Sequence, residues 1–160
     1  MRTFDDKLFQ EQGLERNWVQ ENHSRSGSKG IIRGLHFQLP PHSETKMVRC
    51  VLGKVLDVFV DLRKDSETFG EWDSIELSEE NQKMIFIPRG FAHGFCTLTT
   101  ESAVVYKVDN YYNPSSEQGL LWNDNDLGIE WPESNPILSD KDKVNLSLSE
   151  FKKQFTALDI

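Results

Sequence analysis

Between Trp18 and Val108 the chain is a succession of short apolar runs, each closed by glycine, proline or serine, with no long helical stretch between them. This punctuation limits the fold more than any other feature. Candidate strands cover 17–22, 31–38, 46–52, 54–62, 73–77, 83–88, 93–98 and 102–109. Turn residues separate them at Gly27-Ser28-Lys29-Gly30, Pro40-Pro41, Leu52-Gly53-Lys54 and Pro88-Arg89-Gly90. The cleanest alternation runs from Val55 to Leu62, where Leu56, Val58, Val60 and Leu62 share one face and Asp57 and Asp61 the other. About eight strands with short connections predict an all-β antiparallel barrel or jelly roll.

Outside this block the pattern changes. Residues 3–13 predict a short helix, with Thr3 as cap, Asp6 as its capping-box partner, Phe4 and Leu8 as an apolar stripe and Gly13 as the stop. After Pro114 the chain turns polar and aromatic, and the stretch from Trp122 to Pro132 suggests an extended wrap over the barrel. Ser147 and Glu150 open a second helix, with Phe151, Phe155 and Leu158 along one face. With 160 residues and no internal repeat, one domain spanning 1–160 is expected.

No stretch approaches about 18 consecutive apolar residues, so no membrane span is expected. The opening Met1-Arg2-Thr3-Phe4-Asp5-Asp6 lacks the apolar core of a secretory signal. The expected location is the cytoplasm, where Cys50 and Cys96, each within an apolar run, would be buried reduced thiols. A formal net charge of −8 argues against nucleic acid as a partner. An anionic small ligand would need a local basic cluster, which directs attention to Arg and Lys near apolar or His-bearing strands.

The four histidines are His23, His36, His42 and His93. His36 lies within a strand between Leu35 and Phe37. His93 closes Pro88-Arg89-Gly90-Phe91-Ala92-His93, a P-x-G-x-x-H arrangement that resembles the second half-motif of cupins. Metal cupins pair it with an H-x-H and a nearby Glu, and here the corresponding stretch is His36-Phe37-Gln38. A neutral amide in place of the second imidazole removes a strong divalent-metal ligand, so no metal is expected. A set made of His36, His42, Glu44 and His93 is the metal alternative.

The polar residues that need explaining without a metal are Gln20, Asn22, Arg33, His36, Lys46, Asp57, His93 and Tyr106. Such a set suits proton abstraction beside a ketone. Imidazole supplies a base near neutral pH, and a carboxylate fixes its tautomer. Lys46 is the natural cation where enolate charge develops, and a tyrosine such as Tyr106 can serve as the acid on the opposite face. Each residue also has a structural reading. A strand His is commonly a packing residue, Tyr106 a core tyrosine with its hydroxyl satisfied, and Lys46 and Arg49 edge charges that discourage aggregation. Asp57, facing a barrel interior, resists such a reading, because a buried carboxylate needs partners.

Taken together, these motifs resemble the dTDP-4-dehydrorhamnose 3,5-epimerase family. The resemblance is carried by Gln20-Glu21-Asn22-His23-Ser24, the strand from Ile31 to Gln38, Lys46-Met47-Val48-Arg49, Val55 to Arg63, Ile87 to Phe95, Tyr106-Lys107 and Tyr111-Tyr112. Trp122-Asn123-Asp124 and Leu127-Gly128-Ile129-Glu130-Trp131-Pro132 extend it, so it follows nearly the whole chain in order. It implies a metal-independent cupin jelly roll without a cofactor, working as a homodimer on a 4-keto-6-deoxy sugar attached to dTDP. Such an isomerase serves deoxysugar and surface-polysaccharide synthesis. By motif, the resemblance implies His36 as general base and Asp142 as its orienting carboxylate, with Asp140 as the competing choice. Lys46 corresponds to the enolate-stabilising cation and Tyr106 to the acid that returns the proton. Arg33, Gln20 and Asn22 correspond to substrate contacts, His93 and Asp57 to supporting polar groups, and Tyr111 to an aromatic near the nucleotide.

Two further expectations follow. Arg33 and His36 face opposite sides of an ideal strand, so sharing one site requires a bulge or twist, which Gly34 permits. Family members also usually begin earlier, with strands exchanged across the dimer and an Asp-Glu-Arg-Gly stretch whose Arg helps hold the diphosphate. Met1-Arg2-Thr3-Phe4 resembles the segment just after that stretch, which implies a missing phosphate contact. A catalytically weak or inactive sugar-nucleotide-binding relative is therefore the alternative to a full epimerase.

Overall fold

The computed structural model describes residues 2–160. Helix α1, Asp6–Glu11, opens the described chain. Its cap is Asp5, whose carboxylate accepts from the Leu8 N–H, and not Thr3 with Asp6 as the sequence suggested. An ionised carboxylate at that position complements the positive end of the helix better than a hydroxyl does.

Eight strands follow in the predicted order: β1 Gln20–Ser26, β2 Ile31–Gln38, β3 Lys46–Leu52, β4 Lys54–Asp61, β5 Trp72–Ser78, β6 Met84–Ile87, β7 Phe91–Thr97 and β8 Ser102–Val108. Two short ones, β9 Glu117–Gly119 and β10 Ile137–Leu138, come from the tail. One sheet has the order β1-β8-β3-β6, and the other β10-β2-β7-β4-β5 with β9 pairing to β2. All pairings are antiparallel except β10 on β2, so the fold is an antiparallel jelly roll of cupin type.

β1 begins and ends later than the range 17–22 expected from the sequence. Its residues, QENHSRS, are polar and form the edge of their sheet, pairing along their whole length with β8. An edge strand with one wet face has no apolar period to betray its limits.

Two apolar layers hold the molecule together. The first lies between the sheets and joins Val48, Cys50, Val55, Leu77, Phe95 and Val104. The second lies on the outer side of the β2–β7–β4 sheet, where Leu35, Phe37, Val58, Val60 and Leu62 are covered by Leu120, Leu148, Phe151 and Leu158 from the tail. The predicted face of β4 thus packs beneath the tail, and its opposite face sends Asp57 into the barrel. The covering helix α2, Leu148–Phe155, starts with the expected capping box between Ser147 and Glu150. Phe151 is fully buried there, edge-on to Phe37 with ring centroids 5.6 Å apart. Burying one such side chain contributes about 1.5–3 kcal/mol. Leu158 lies past the helix end and is buried because the chain turns back to bridge Arg63, not through helical spacing. No helix among the described residues is long and apolar enough to cross a membrane.

Candidate active site

The site begins with β2. Leu35 and Phe37 point to the layer under the tail, which leaves His36 on the barrel side. By simple alternation Arg33 would face away from His36. However, Arg33 pairs with Phe95 and His36 with His93, so three steps on β2 match two on β7. The extra residue is a bulge, as the shared-site expectation required. Gly34 sits in it at φ +113, a backbone conformation that glycine alone adopts freely.

As a result Arg33 and His36 line one cavity of about 290 Å³ together with Lys46, His93 and Tyr106. A neighbouring cavity of about 360 Å³ shares His36, Lys46 and Tyr106 as its wall and adds Gln20 and Asn22 from the edge strand. Gln20 Nε2 donates to Asn22 Oδ1 at 2.9 Å, which orders the pair. Within a strongly acidic chain, Arg33, Lys46 and Lys141 form a basic cluster in this cleft.

His36 Nε2 lies 2.6 Å from Asp142 Oδ1. Asp142 opens a single 3₁₀ turn, Asp142–Val144, and Ser139 Oγ donates to its other oxygen at 2.7 Å. Asp140 is fully exposed and pairs with Lys143, so the geometry chooses Asp142 over its neighbour. Burial works against ionisation of Asp142, but the hydrogen bonds from His36 and Ser139 and the Gly34 N–H outweigh it and hold the carboxyl below its ordinary value. With Nε2 committed to Asp142, Nδ1 is the nitrogen of His36 left to take up a proton.

A stability consequence follows from the depressed carboxyl. Asp142 contributes stability in full above its ordinary value of 3.8, and that contribution is lost as pH falls through the lower folded value. Asp142→Asn is therefore expected to melt below the parent at neutral pH, with the gap narrowing below pH 3.8. A series of thermal melts checks this, and a gap that stays constant into acid would contradict it.

A second His–Asp pair lies alongside. His93 Nε2 is 2.9 Å from Asp57 Oδ2, both side chains being buried, and Asp57 Oδ1 has no hydrogen-bond partner. Asp57 stands behind His93 and does not line the cavity itself. Tyr106 is half-buried; that burial and the charges of Glu44 and Glu117 push its phenol up, with Arg33 opposing. The phenol therefore carries its proton at neutral pH.

Tyr111 stands apart from both cavities. The residue is 66% exposed and lines neither cavity, because the loop after β8 turns it outward. Tyr112 lines the second cavity instead and donates to Glu117 at 2.8 Å. Glu117 also pairs with Lys141. Neither Glu117 nor Lys141 stood out in the sequence, since β9 is too short to show a period and Lys141 lies outside any strand, just before the 3₁₀ turn. Ser139 was detectable, because a serine three residues before an aspartate is a common turn-capping pattern.

The histidines do not converge as metal ligands. His36 and His93 are each held by their own carboxylate, and the His42 ring is bound by Ser116 and Asn113. No group of three or more His, Cys, Asp or Glu side chains arranged for a metal is found among the described residues. Cys50 and Cys96 are free and buried, and burial pushes the Cys96 thiol up to about 11.

Residues 1–150 match the family model described as dTDP-4-dehydrorhamnose 3,5-epimerase. The chain belongs to that family. A dTDP-4-dehydrorhamnose 3,5-epimerase of Shigella flexneri is 52% identical over 89% of this chain and 78% of its own length. The epimerase of Bacillus anthracis, solved with TDP and PPi bound, superposes with a TM-score of 0.91 at 46% identity, over 92% of this chain and 84% of that one. ChmJ of Streptomyces bikiniensis, a 3'-monoepimerase solved with dTDP-quinovose, gives 0.90 at 30% identity, over 99% and 80%. Each likeness covers at least 92% of this chain.

Proposed function

We propose that this isomerase epimerises a dTDP-linked 4-keto-6-deoxy sugar at the carbons flanking its ketone, C3 and C5, by proton removal and return through an enolate. The reading rests above all on the His36–Asp142 pair, which faces a cleft shared with Lys46 and Tyr106. Membership of the family supports it.

In this reading Asp142 holds the His36 tautomer, and Nδ1 takes the proton from C3. The electron pair moves into the C3–C4 bond and onto the ketone oxygen, whose negative charge Lys46 stabilises. Tyr106 returns a proton to C3 from the opposite face, inverting it, and solvent resets both groups. The same cycle at C5 completes a double epimerisation. Arg33, Gln20 and Asn22 bind the sugar nucleotide, and His93 with Asp57 supports the sugar-binding wall. The working unit is a homodimer in the cytoplasm, where the sugar nucleotides of deoxysugar synthesis are made.

Deuterium exchange tests this directly. Incubated in D2O with dTDP-4-keto-6-deoxyglucose, the protein is expected to place label at C3 and C5. Label at C3 alone would make it a mono-epimerase. No label at either carbon from a folded protein would overturn the reading and leave a sugar-nucleotide-binding relative.

A further inference from the structure

Lys46 is held by residues that the proton transfers do not themselves require. Its side chain is only 9% exposed, and its ammonium lies 3.3 Å from Glu44 Oε1. The other oxygen of Glu44 accepts from Gln38 Nε2 at 3.2 Å. Gln38 is in turn fixed at both ends of its amide. Nε2 has two N–H groups for three acceptors: one goes to the His42 carbonyl at 2.8 Å and the other is shared between Glu44 and the Tyr111 carbonyl, also at 3.2 Å, while Oε1 accepts the Asn113 N–H at 2.7 Å. An amide engaged as donor and acceptor by backbone groups has one orientation, so Glu44 is presented at a fixed place.

A lysine ammonium on its flexible stem is otherwise poorly aimed. Stabilising a developing oxyanion depends on a charge that is already in position, because reorienting it during the reaction costs rate. Both oxygens of Glu44 are engaged, one with Lys46 and one with Gln38, which suits it to hold a neighbour rather than to move protons.

We propose that Glu44, braced by Gln38, is a positioning residue that aims the Lys46 ammonium at the enolate oxygen. This rests on the epimerase reading above. Gln38 thereby gains a purpose: the amide standing where a metal cupin would want imidazole anchors the cation that does a metal's electrostatic work.

The test compares the parent with Glu44→Gln, Lys46→Ala and the double variant. Glu44→Gln keeps the shape but removes the charge that holds the ammonium. It is expected to lower kcat about 10- to 100-fold with KM within about threefold, the signature of a misplaced group. In the Lys46→Ala background the same change is expected to have no further effect. An equal loss in both backgrounds, a change in KM alone, or no change would each overturn the proposal.

A second readout does not depend on turnover. In protein labelled with 15N-lysine, the Lys46 ammonium signal, assigned by its loss in Lys46→Ala, is expected to be protected from solvent exchange in the parent and lost in Glu44→Gln. A signal that persists in Glu44→Gln overturns the proposal. If the parent places no deuterium on the sugar, the epimerase reading fails, while the ammonium signal still decides whether Glu44 holds Lys46.

Discussion

Replacing His36 with asparagine is expected to lower kcat about 10²- to 10⁴-fold, the usual contribution of a positioned general base, while dTDP binding stays within a few-fold of the parent. The split follows from the geometry. His36 Nε2 is taken up by Asp142 at 2.6 Å, and its ring lies where the two cavities meet. Asparagine can still donate to Asp142, so the tail stays docked, but it has no basic nitrogen to offer the sugar. Deuterium incorporation measures the lost step, and calorimetric titration with dTDP measures the retained one. A variant that exchanges label at the parent rate would remove His36 from the mechanism.

The second large effect is on stability. Gly34→Ala is expected to cost about 3 kcal/mol, near the top of the ordinary range for one substitution. A Cβ at Gly34 would stand 2.6 Å from the His93 carbonyl oxygen and 2.7 Å from the Gly94 Cα. Both are backbone atoms that no rotamer change can move, and φ +113 is foreign to alanine. Gly13 provides the contrast: its φ is +70, but nothing lies within 4 Å, so alanine there is expected to cost about 1 kcal/mol or less. Urea unfolding midpoints compare the two. Equal costs would mean that the close crossing of β2 and β7 does not hold the bulge.

Much of the barrel was legible because its strands are short, punctuated and, in β4, cleanly alternating. The alternation showed which residues of β4 share a face, but not which layer that face meets. Only the tail decides that, by bringing Phe151 and Leu158 over Val58 and Val60. The site was legible where a residue sits in a motif: Arg33, His36, Lys46, His93 and Tyr106 all line the cleft. It was hidden where position depends on contacts distant in sequence. Glu117 reaches the cleft through a three-residue strand, and Tyr112 lines the second cavity from a loop whose course no local pattern sets. The choice between Asp140 and Asp142 likewise turned on a hydrogen bond spanning 106 positions.

That span has a consequence in time. As the chain is synthesised, His36 emerges early, and the strands through Val108 can pair while the rest is still being made. Asp142, and the helix that seals Phe37 and Val60 beneath Phe151, come from the tail, later in the chain than β8. Without the tail, His36 lacks its carboxylate partner and Phe37 and Val60 lack their cover, so a single segment late in the chain completes both the apolar layer and the His–Asp pair.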